Sequence, residues 1–144
     1  MQTWIIPVIA ILGLLVAFCL ASYVSKSDAG NERMQEISGF IREGAFAFLT
    51  SEYKVMAIVI AALFLIIGLA INWTSGVLYV FGALLSVLAG FFGMNVATKG
   101  NVRTASAAMN HGMPRALKVA FRSGAVMGLC VAGLGLFGLG VVFV

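Results

Sequence analysis

The polar segment from Met94 to Val126, MNVATKGNVRTASAAMNHGMPRALKVAFRSGAV, lies between two long apolar runs and sets the topology of the chain. It carries five of the nine basic residues and no acidic residue. It is too polar for the lipid core, yet it holds too many good helix formers to be a slack linker. We interpret this segment as a basic elbow that joins two transmembrane helices on the cytoplasmic side.

The composition points to a membrane protein. Of the 144 residues, 62% are hydrophobic and 10% are charged, and the mean hydropathy is +1.09. In a soluble domain about a quarter of the residues are charged. A water-soluble fold of this size could not bury so much apolar surface. The net charge of +4 therefore bears on topology, and we expect the lipid bilayer rather than nucleic acid as a partner.

Four apolar runs predict an all-α membrane protein with four transmembrane helices, at about residues 4–24, 55–73, 77–97 and 120–144. At about 1.5 Å per residue the first run measures about 31 Å, enough to cross a hydrocarbon core of about 30 Å. Trp4 and Tyr23 lie at its ends, where aromatic rings favour the interface. A cleaved signal peptide is the rival interpretation, but the run is long and no basic segment precedes it.

Residues 25–54 predict a cytoplasmic amphipathic helix that runs on into the second span, with Asp28 or Asn31 as its cap. Its apolar residues recur at three- and four-residue steps: Met34, Ile37, Ile41, Phe48 and Leu49. Between the second and third spans, residues 73–76 predict a tight turn without charge. Pro114 predicts the start of the last helix.

The basic residues indicate the orientation. All nine lie within residues 26–54 and 99–122, two segments that an even number of spans separates. Both segments can then be cytoplasmic. This predicts a multi-pass protein of the cell (inner) membrane whose N-terminus and last residue lie on the outer side. We expect residues 1–144 to form a single transmembrane domain.

Small residues at four-residue steps predict close helix packing. One row is Gly82, Ser86 and Gly90, and a second row is Ala120, Gly124, Gly128 and Ala132. Small side chains let two helix backbones approach each other in lipid. We expect these rows to face helical neighbours, and a contact between the two rows is one such arrangement.

The sequence shows little chemistry. No span has an ionisable residue near its middle, where such residues usually mark ion pathways. His111 has no partner for a metal or a proton and is predicted to be a loop residue, while Glu52 is predicted to be an interfacial carboxylate. Cys19 and Cys130 lie in apolar runs and are predicted to be buried, unreactive thiols. The acidic residues are spread along one helix, so we predict no catalytic, cofactor-binding or metal-binding residue here.

Three segments resemble a known family: GNERMQEISGFIREGAFAFLTSEYK (30–54), GFFGMNVATKGNVRTASAA (90–108) and ALKVAFRSGAVMGL (116–129). Their combination, order and spacing are similar to the first part of the membrane-bound pyrophosphatases. The resemblance implies an ion pump that couples pyrophosphate hydrolysis to H⁺ or Na⁺ transport. It also implies Mg²⁺ as the cofactor and a homodimer as the full-length assembly.

The chain departs from that family in length and in its site. Members are several times longer, and their Asp-Val-Gly-Ala-Asp-Leu-Val-Gly-Lys-Val-Glu signature is absent here. The chain also stops inside an apolar run. The resemblance therefore implies an N-terminal fragment of four outer helices that binds no Mg²⁺, is inactive alone and has the pump's remaining helices as partners. The alternatives are a small four-helix structural or accessory subunit and a small exporter. The lack of an intramembrane carboxylate argues against the exporter.

Overall fold

The computed structural model describes residues 4–143, which form four helices and no strand. In chain order these are α1 (Ile5–Lys26), α2 (Glu32–Ala70), α3 (Trp73–His111) and α4 (Met113–Phe143). Each of the four is long and apolar enough to cross a membrane. The predicted fold class, an all-α membrane protein with four transmembrane helices, is confirmed.

The second helix joins the predicted amphipathic segment and the second span without a break. Its 39 residues would extend for about 58 Å at 1.5 Å per residue, well beyond a hydrocarbon core of about 30 Å. Asn31 is the cap, because its side-chain oxygen accepts a hydrogen bond of 2.9 Å from the Met34 amide. Gly30 before it has a φ of +80°, a conformation that favours glycine.

The predicted turn over residues 73–76 is wrong. The structure narrows the connection to Ile71 and Asn72, and α3 begins at Trp73. The reason is a cap that the hydropathy pattern did not reveal: the Asn72 side chain accepts a hydrogen bond of 2.7 Å from the Ser75 amide. The Trp73 ring then packs beside Phe64 on α2, with 5.8 Å between ring centroids.

The basic elbow is almost entirely helical. The third helix runs to His111, and α4 begins at Met113, so the break is confined to Gly112, whose φ is +78°. His111 is therefore the last residue of a helix and not a loop residue. Pro114 lies in the first turn of α4, as predicted, where its missing N–H costs little.

The third and fourth helices are central to the packing. Among the described helices, α3 contacts each of the other three, α4 contacts α1 and α3, and α2 packs on α3 alone. The buried residues of α1 are Ala10, Ala17 and Val24, which follow one another at seven-residue spacing. Ala17 lies in one core cluster with Val126 and Cys130 of α4. Helices in lipid gain stability from such close contact between small side chains.

Glycines other than the predicted ones make most of the close helix contacts, although the Cβ position of Gly90 lies 3.8 Å from the Tyr53 hydroxyl on α2. No atom within 4 Å faces the Cβ positions of Gly82, Gly124 or Gly128, so the predicted contact between the two rows is wrong. Gly82 and Ser86 instead line an apolar groove of about 650 Å³ between α3 and α4. The close glycine contacts that involve α4 lie elsewhere, at Gly93 on Met127, Gly100 on Ser123, Gly133 on Leu14, Gly138 on Leu85 and Gly140 on Pro7.

The outer surface is strongly apolar. Phe18, Leu69 and Phe121 expose 72%, 76% and 74% of their surface in this chain. Cys19 is also exposed, whereas Cys130 is buried, and both thiols are unpaired. The prediction of a buried thiol is therefore wrong for Cys19, because the seven-residue seam of α1 turns that position away from α4. Such a surface suits lipid or further helices as its surroundings.

Candidate functional site

Polar contacts concentrate where α1 ends, α2 begins and α3 meets α4. We call this region the charged end. Lys26 is the last residue of α1, and His111 and Met113 flank the break between α3 and α4. The loop between α1 and α2 lies against α3 here, so residues more than seventy positions apart in the sequence meet.

Arg103 ties α3 to the end of α1. Its guanidinium donates hydrogen bonds to the carbonyl oxygens of Ser27 and Ser25, both at 3.1 Å, and to that of Lys99 in its own helix at 2.9 Å. The last carbonyl groups of a helix lack partners within the helix and form the negative end of its dipole. A fixed cation at this position therefore caps α1 and stabilises its orientation against α3.

Asp28 makes the second tie between the loop and α3. Its carboxylate accepts a hydrogen bond of 2.7 Å from the Ser106 hydroxyl and one of 3.1 Å from the Gly30 amide. Ser106 is almost completely buried. The bond from Ser106, followed by that from Gly30, holds the pKa of Asp28 below its ordinary value.

Arg122 makes a third tie, between α4 and α1. Its guanidinium carbon lies 3.7 Å from the centre of the Tyr23 ring. A cation over an aromatic face is attracted by the ring quadrupole. Tyr23 lies at the end of the first predicted span, residues 4–24, and Arg122 lies at the start of the last one, residues 120–144, so the pair is at the position expected for the membrane boundary on both helices.

These ties surround a crevice of about 120 Å³, which we call the charged-end crevice. Its polar lining consists of Tyr23, Lys26, Ser27, Asp28, Arg103, Ser106, His111 and Arg115. The lining is basic overall, with three Lys and Arg side chains against one carboxylate. Such an arrangement can bind an anion.

The other acidic side chains do not converge on a metal site. Across residues 4–143, no group of three or more His, Cys, Asp or Glu side chains could hold a metal ion. Glu36 pairs with Arg33 at 2.7 Å on the exposed face of α2. Hard cations such as Mg²⁺ need several oxygen ligands at one point, and this segment does not supply them.

The charged end was not predicted from the sequence as a structured site. The sequence places Arg103 and Ser106 in the basic elbow and offers Asp28 as a possible cap. The available signal was their spacing, because Arg103 and Ser106 are three residues apart and so share one face of a helix. Nothing local to α3 indicated that the loop after α1 would lie on that face.

We expect acid to weaken the attachment of the loop to α3. Folding lowers the pKa of Asp28, so the ionised carboxylate contributes to the free energy of unfolding. This stabilisation is fully present above the unfolded pKa of about 3.9 and is lost as the pH falls through the lower folded pKa. The measurement is the unfolding midpoint of the chain and of Asp28→Asn between pH 6 and pH 3. The gap between the two should shrink in acid, and a gap that stays constant would contradict this assignment.

The comparison with known families decides the assignment of the chain. The sequence model described as inorganic H⁺ pyrophosphatase matches residues 11–144. The chain belongs to the H⁺ pyrophosphatase family. The resemblance seen in residues 30–54, 90–108 and 116–129 is thereby confirmed.

Individual members of the H⁺ pyrophosphatase family are close to this chain. A putative K⁺-stimulated pyrophosphate-energized sodium pump of Clostridium tetani is 50% identical over 119 residues, which are 83% of this chain and 18% of the relative. A K⁺-insensitive pyrophosphate-energized proton pump of Moorella thermoacetica is 43% identical over 142 residues, 96% of this chain and 20% of the relative. A K⁺-stimulated pyrophosphate-energized sodium pump of Thermotoga maritima is 44% identical over 144 residues, 97% of this chain and 19% of the relative.

Two facts about these H⁺ pyrophosphatase relatives bear on function. The chain spans only about a fifth of their length. Their names include both sodium and proton pumps, and the identities differ by as little as one percentage point, with 44% to a sodium pump and 43% to a proton pump. This segment therefore does not separate the two ions.

Proposed function

We propose that this chain is the N-terminal segment of a pyrophosphate-energized ion pump, which couples hydrolysis of inorganic pyrophosphate to the movement of H⁺ or Na⁺. The observation that carries the proposal is the family match over residues 11–144, in a chain that spans about a fifth of its relatives. In the complete protein these four helices serve as an outer scaffold, and the catalytic helices are supplied by the remaining sequence.

The packing supports a scaffold role. The chain has its own core between α1, α3 and α4, and the ties at the charged end fix the connections between its helices. The groove of about 650 Å³ between α3 and α4 and the exposed aromatic side chains leave surface for further helices. As the family resemblance implies, the complete pump is a homodimer.

The residues of this segment do not fit the Mg²⁺ that the family implies. The Asp28 carboxylate accepts hydrogen bonds from Ser106 and Gly30, Glu36 pairs with Arg33, and within residues 4–143 neither belongs to a group of three or more His, Cys, Asp or Glu side chains that could hold a metal ion. We therefore assign Mg²⁺ and pyrophosphate binding to residues outside this chain and derive no catalytic step from the residues present.

We expect the purified 144-residue chain to release no phosphate from pyrophosphate in the presence of Mg²⁺. A multiply charged anion with its metal ions needs several carboxylates and basic partners around it. The measurement is phosphate release against a control without protein, and turnover above that control would contradict the proposal.

The gene provides a second test. We expect the DNA downstream of Val144 to contain either an in-frame continuation or a neighbouring open reading frame that encodes the Asp-rich signature. If no such frame exists, an accessory four-helix subunit becomes the better assignment.

We also propose that the charged end is cytoplasmic and that both chain ends lie outside. The nine basic residues support this orientation, since Lys and Arg are retained on the cytoplasmic side. Gly39 and Thr74 are suitable probes, because both are exposed and no atom lies within 4 Å of a Cβ at Gly39.

In a background without Cys19 and Cys130, Gly39→Cys should resist an impermeant thiol reagent in intact cells, whereas Thr74→Cys should react. Both positions should react after the cells are opened, which controls for thiol reactivity. The reverse pattern in intact cells would show that the chain is inserted with its charged end outside.

A further inference from the structure

Charge is distributed unevenly between the two sides of the helix bundle. Four of the five acidic residues lie on α2, which packs on α3 and not on α1 or α4. The fourth helix carries three basic residues and no acidic residue. Within the part of the chain that the structure describes, the one ion pair joins Arg33 to Glu36 on α2. The side formed by α1 and α4 therefore holds cations without carboxylates to neutralise them.

Part of this excess positive charge lies in the charged-end crevice. Its one carboxylate, Asp28, already accepts hydrogen bonds from Ser106 and Gly30. Arg103 already donates to three carbonyl oxygens. Lys26 and Arg115 line the same crevice and form no ion pair within residues 4–143. The first-turn amides of α4, which also begins here, add the positive end of a helix dipole.

Counted along the helices from the ends of the apolar spans, the crevice falls at the depth expected for lipid headgroups. The pair of Tyr23 and Arg122 marks the edge of the apolar core. Lys26 follows Tyr23 by three residues, or about 4.5 Å along the helix, and Arg115 precedes Arg122 by two turns, or about 10 Å. The headgroup layer occupies roughly 5–8 Å on each side of the hydrocarbon core. A ligand between Lys26 and Arg115 would therefore sit where lipid phosphates are found.

We propose that the charged-end crevice binds a phosphate group, supplied either by the headgroup of an anionic lipid or by free orthophosphate. The Arg115 guanidinium offers paired donors to phosphate oxygens, and Lys26 adds a point charge. The volume of about 120 Å³ is far below the roughly 300–1,000 Å³ of pockets for drug-sized ligands. It suits one phosphate group rather than a nucleotide.

The test compares unfolding midpoints of the 144-residue chain in lipid nanodiscs. Phosphatidylcholine discs are the reference, and the additions are phosphatidylglycerol in the disc or orthophosphate in the buffer. Lys26→Gln with Arg115→Gln removes the two cations of the charged-end crevice that form no ion pair within residues 4–143, and both side chains are exposed. Arg42→Gln with Lys54→Gln is the matched control, since it removes the same charge from α2.

Relative to the zwitterionic phosphatidylcholine of the reference discs, we expect an added anionic phosphate source to raise the midpoint of the unaltered chain and of the control. In the crevice variant the apparent affinity should fall by about thirtyfold, the effect of two cations at a membrane surface. A response to phosphatidylglycerol alone identifies a lipid headgroup, and an equal response to orthophosphate identifies the free anion. If neither source raises the midpoint, or if the crevice variant responds like the control, the proposal is wrong.

A second measurement does not depend on the double variant. Native mass spectrometry of the detergent-solubilised chain should retain one more phosphatidylglycerol molecule, or one phosphate, than Arg115→Gln or Lys26→Gln alone. Equal retention by the unaltered chain and by both single variants would likewise overturn the site.

Discussion

Gly100→Ala should destabilise the contact between α3 and α4 by about 1–3 kcal/mol, the usual range for overpacking. A methyl group at this position would lie 2.7 Å from the Ser123 Cβ and closer still to its Oγ. The Cβ of Ser123 is fixed by its own backbone, so rotation of the hydroxyl does not relieve the clash. The helices must separate, and the Ser123 hydroxyl then loses its 3.3 Å hydrogen bond to the Val96 carbonyl.

Gly128→Ala is the matched control, because nothing lies within 4 Å of a Cβ there. The measurement is the fraction of denaturing detergent that halves the helical signal. A second variant, Gly100→Ala with Ser123→Gly, moves the side chain across the interface and should recover most of the lost stability. If Gly100→Ala and Gly128→Ala unfold at the same detergent fraction, α3 and α4 do not pack at Gly100.

Arg103→Gln should release the end of α1 and lower stability by about 1–3 kcal/mol, a figure discounted for the partial exposure of Arg103. The change removes charged donors from the carbonyl oxygens of Ser25, Ser27 and Lys99. Trypsin cleavage after Lys26 provides a local readout, since this bond lies in the segment that Arg103 fixes. We expect cleavage to accelerate together with the loss of stability.

The control for Arg103 is Arg33→Gln. Among the residues that the structure describes, that guanidinium pairs with Glu36 alone, on the exposed surface of α2, and exposed ion pairs contribute about 0–1 kcal/mol. Arg103→Gln should therefore lose more stability than Arg33→Gln and should alone expose Lys26 to trypsin. Equal stabilities and unchanged cleavage would show that the Arg103 contacts do not hold α1.

The helices were predictable because their signals are local. The apolar run of residues 4–24 has the length of a span, and the continuation of the amphipathic segment into the second span followed from its periodicity. The turn at residues 73–76 was misplaced for an equally local reason. Hydropathy does not detect a cap, and Asn72 supplies the acceptor that lets α3 begin at Trp73.

Helix packing was less predictable, because abundant glycine makes several rows plausible at once. Gly124 and Gly128 follow the expected four-residue spacing, yet they face away from α1 and α3. Gly93 and Gly100, seven residues apart, make the contacts with α4. Which row is buried depends on the rotation of each helix about its axis. That rotation is set by long-range ties such as Arg103 to Ser25 and Asp28 to Ser106, which no local pattern reveals.

The central claim is that this chain supplies the N-terminal scaffold of a pyrophosphate-energized pump. The most direct test replaces the matching region of the Thermotoga maritima sodium pump, 44% identical over 144 residues, with this chain. We expect the chimera to release phosphate from pyrophosphate with Mg²⁺, K⁺ and Na⁺ present. The same chimera with Gly100→Ala should lose this activity at a lower temperature. A chimera that reaches the membrane in normal amounts and remains folded, yet hydrolyses no pyrophosphate, would contradict the claim.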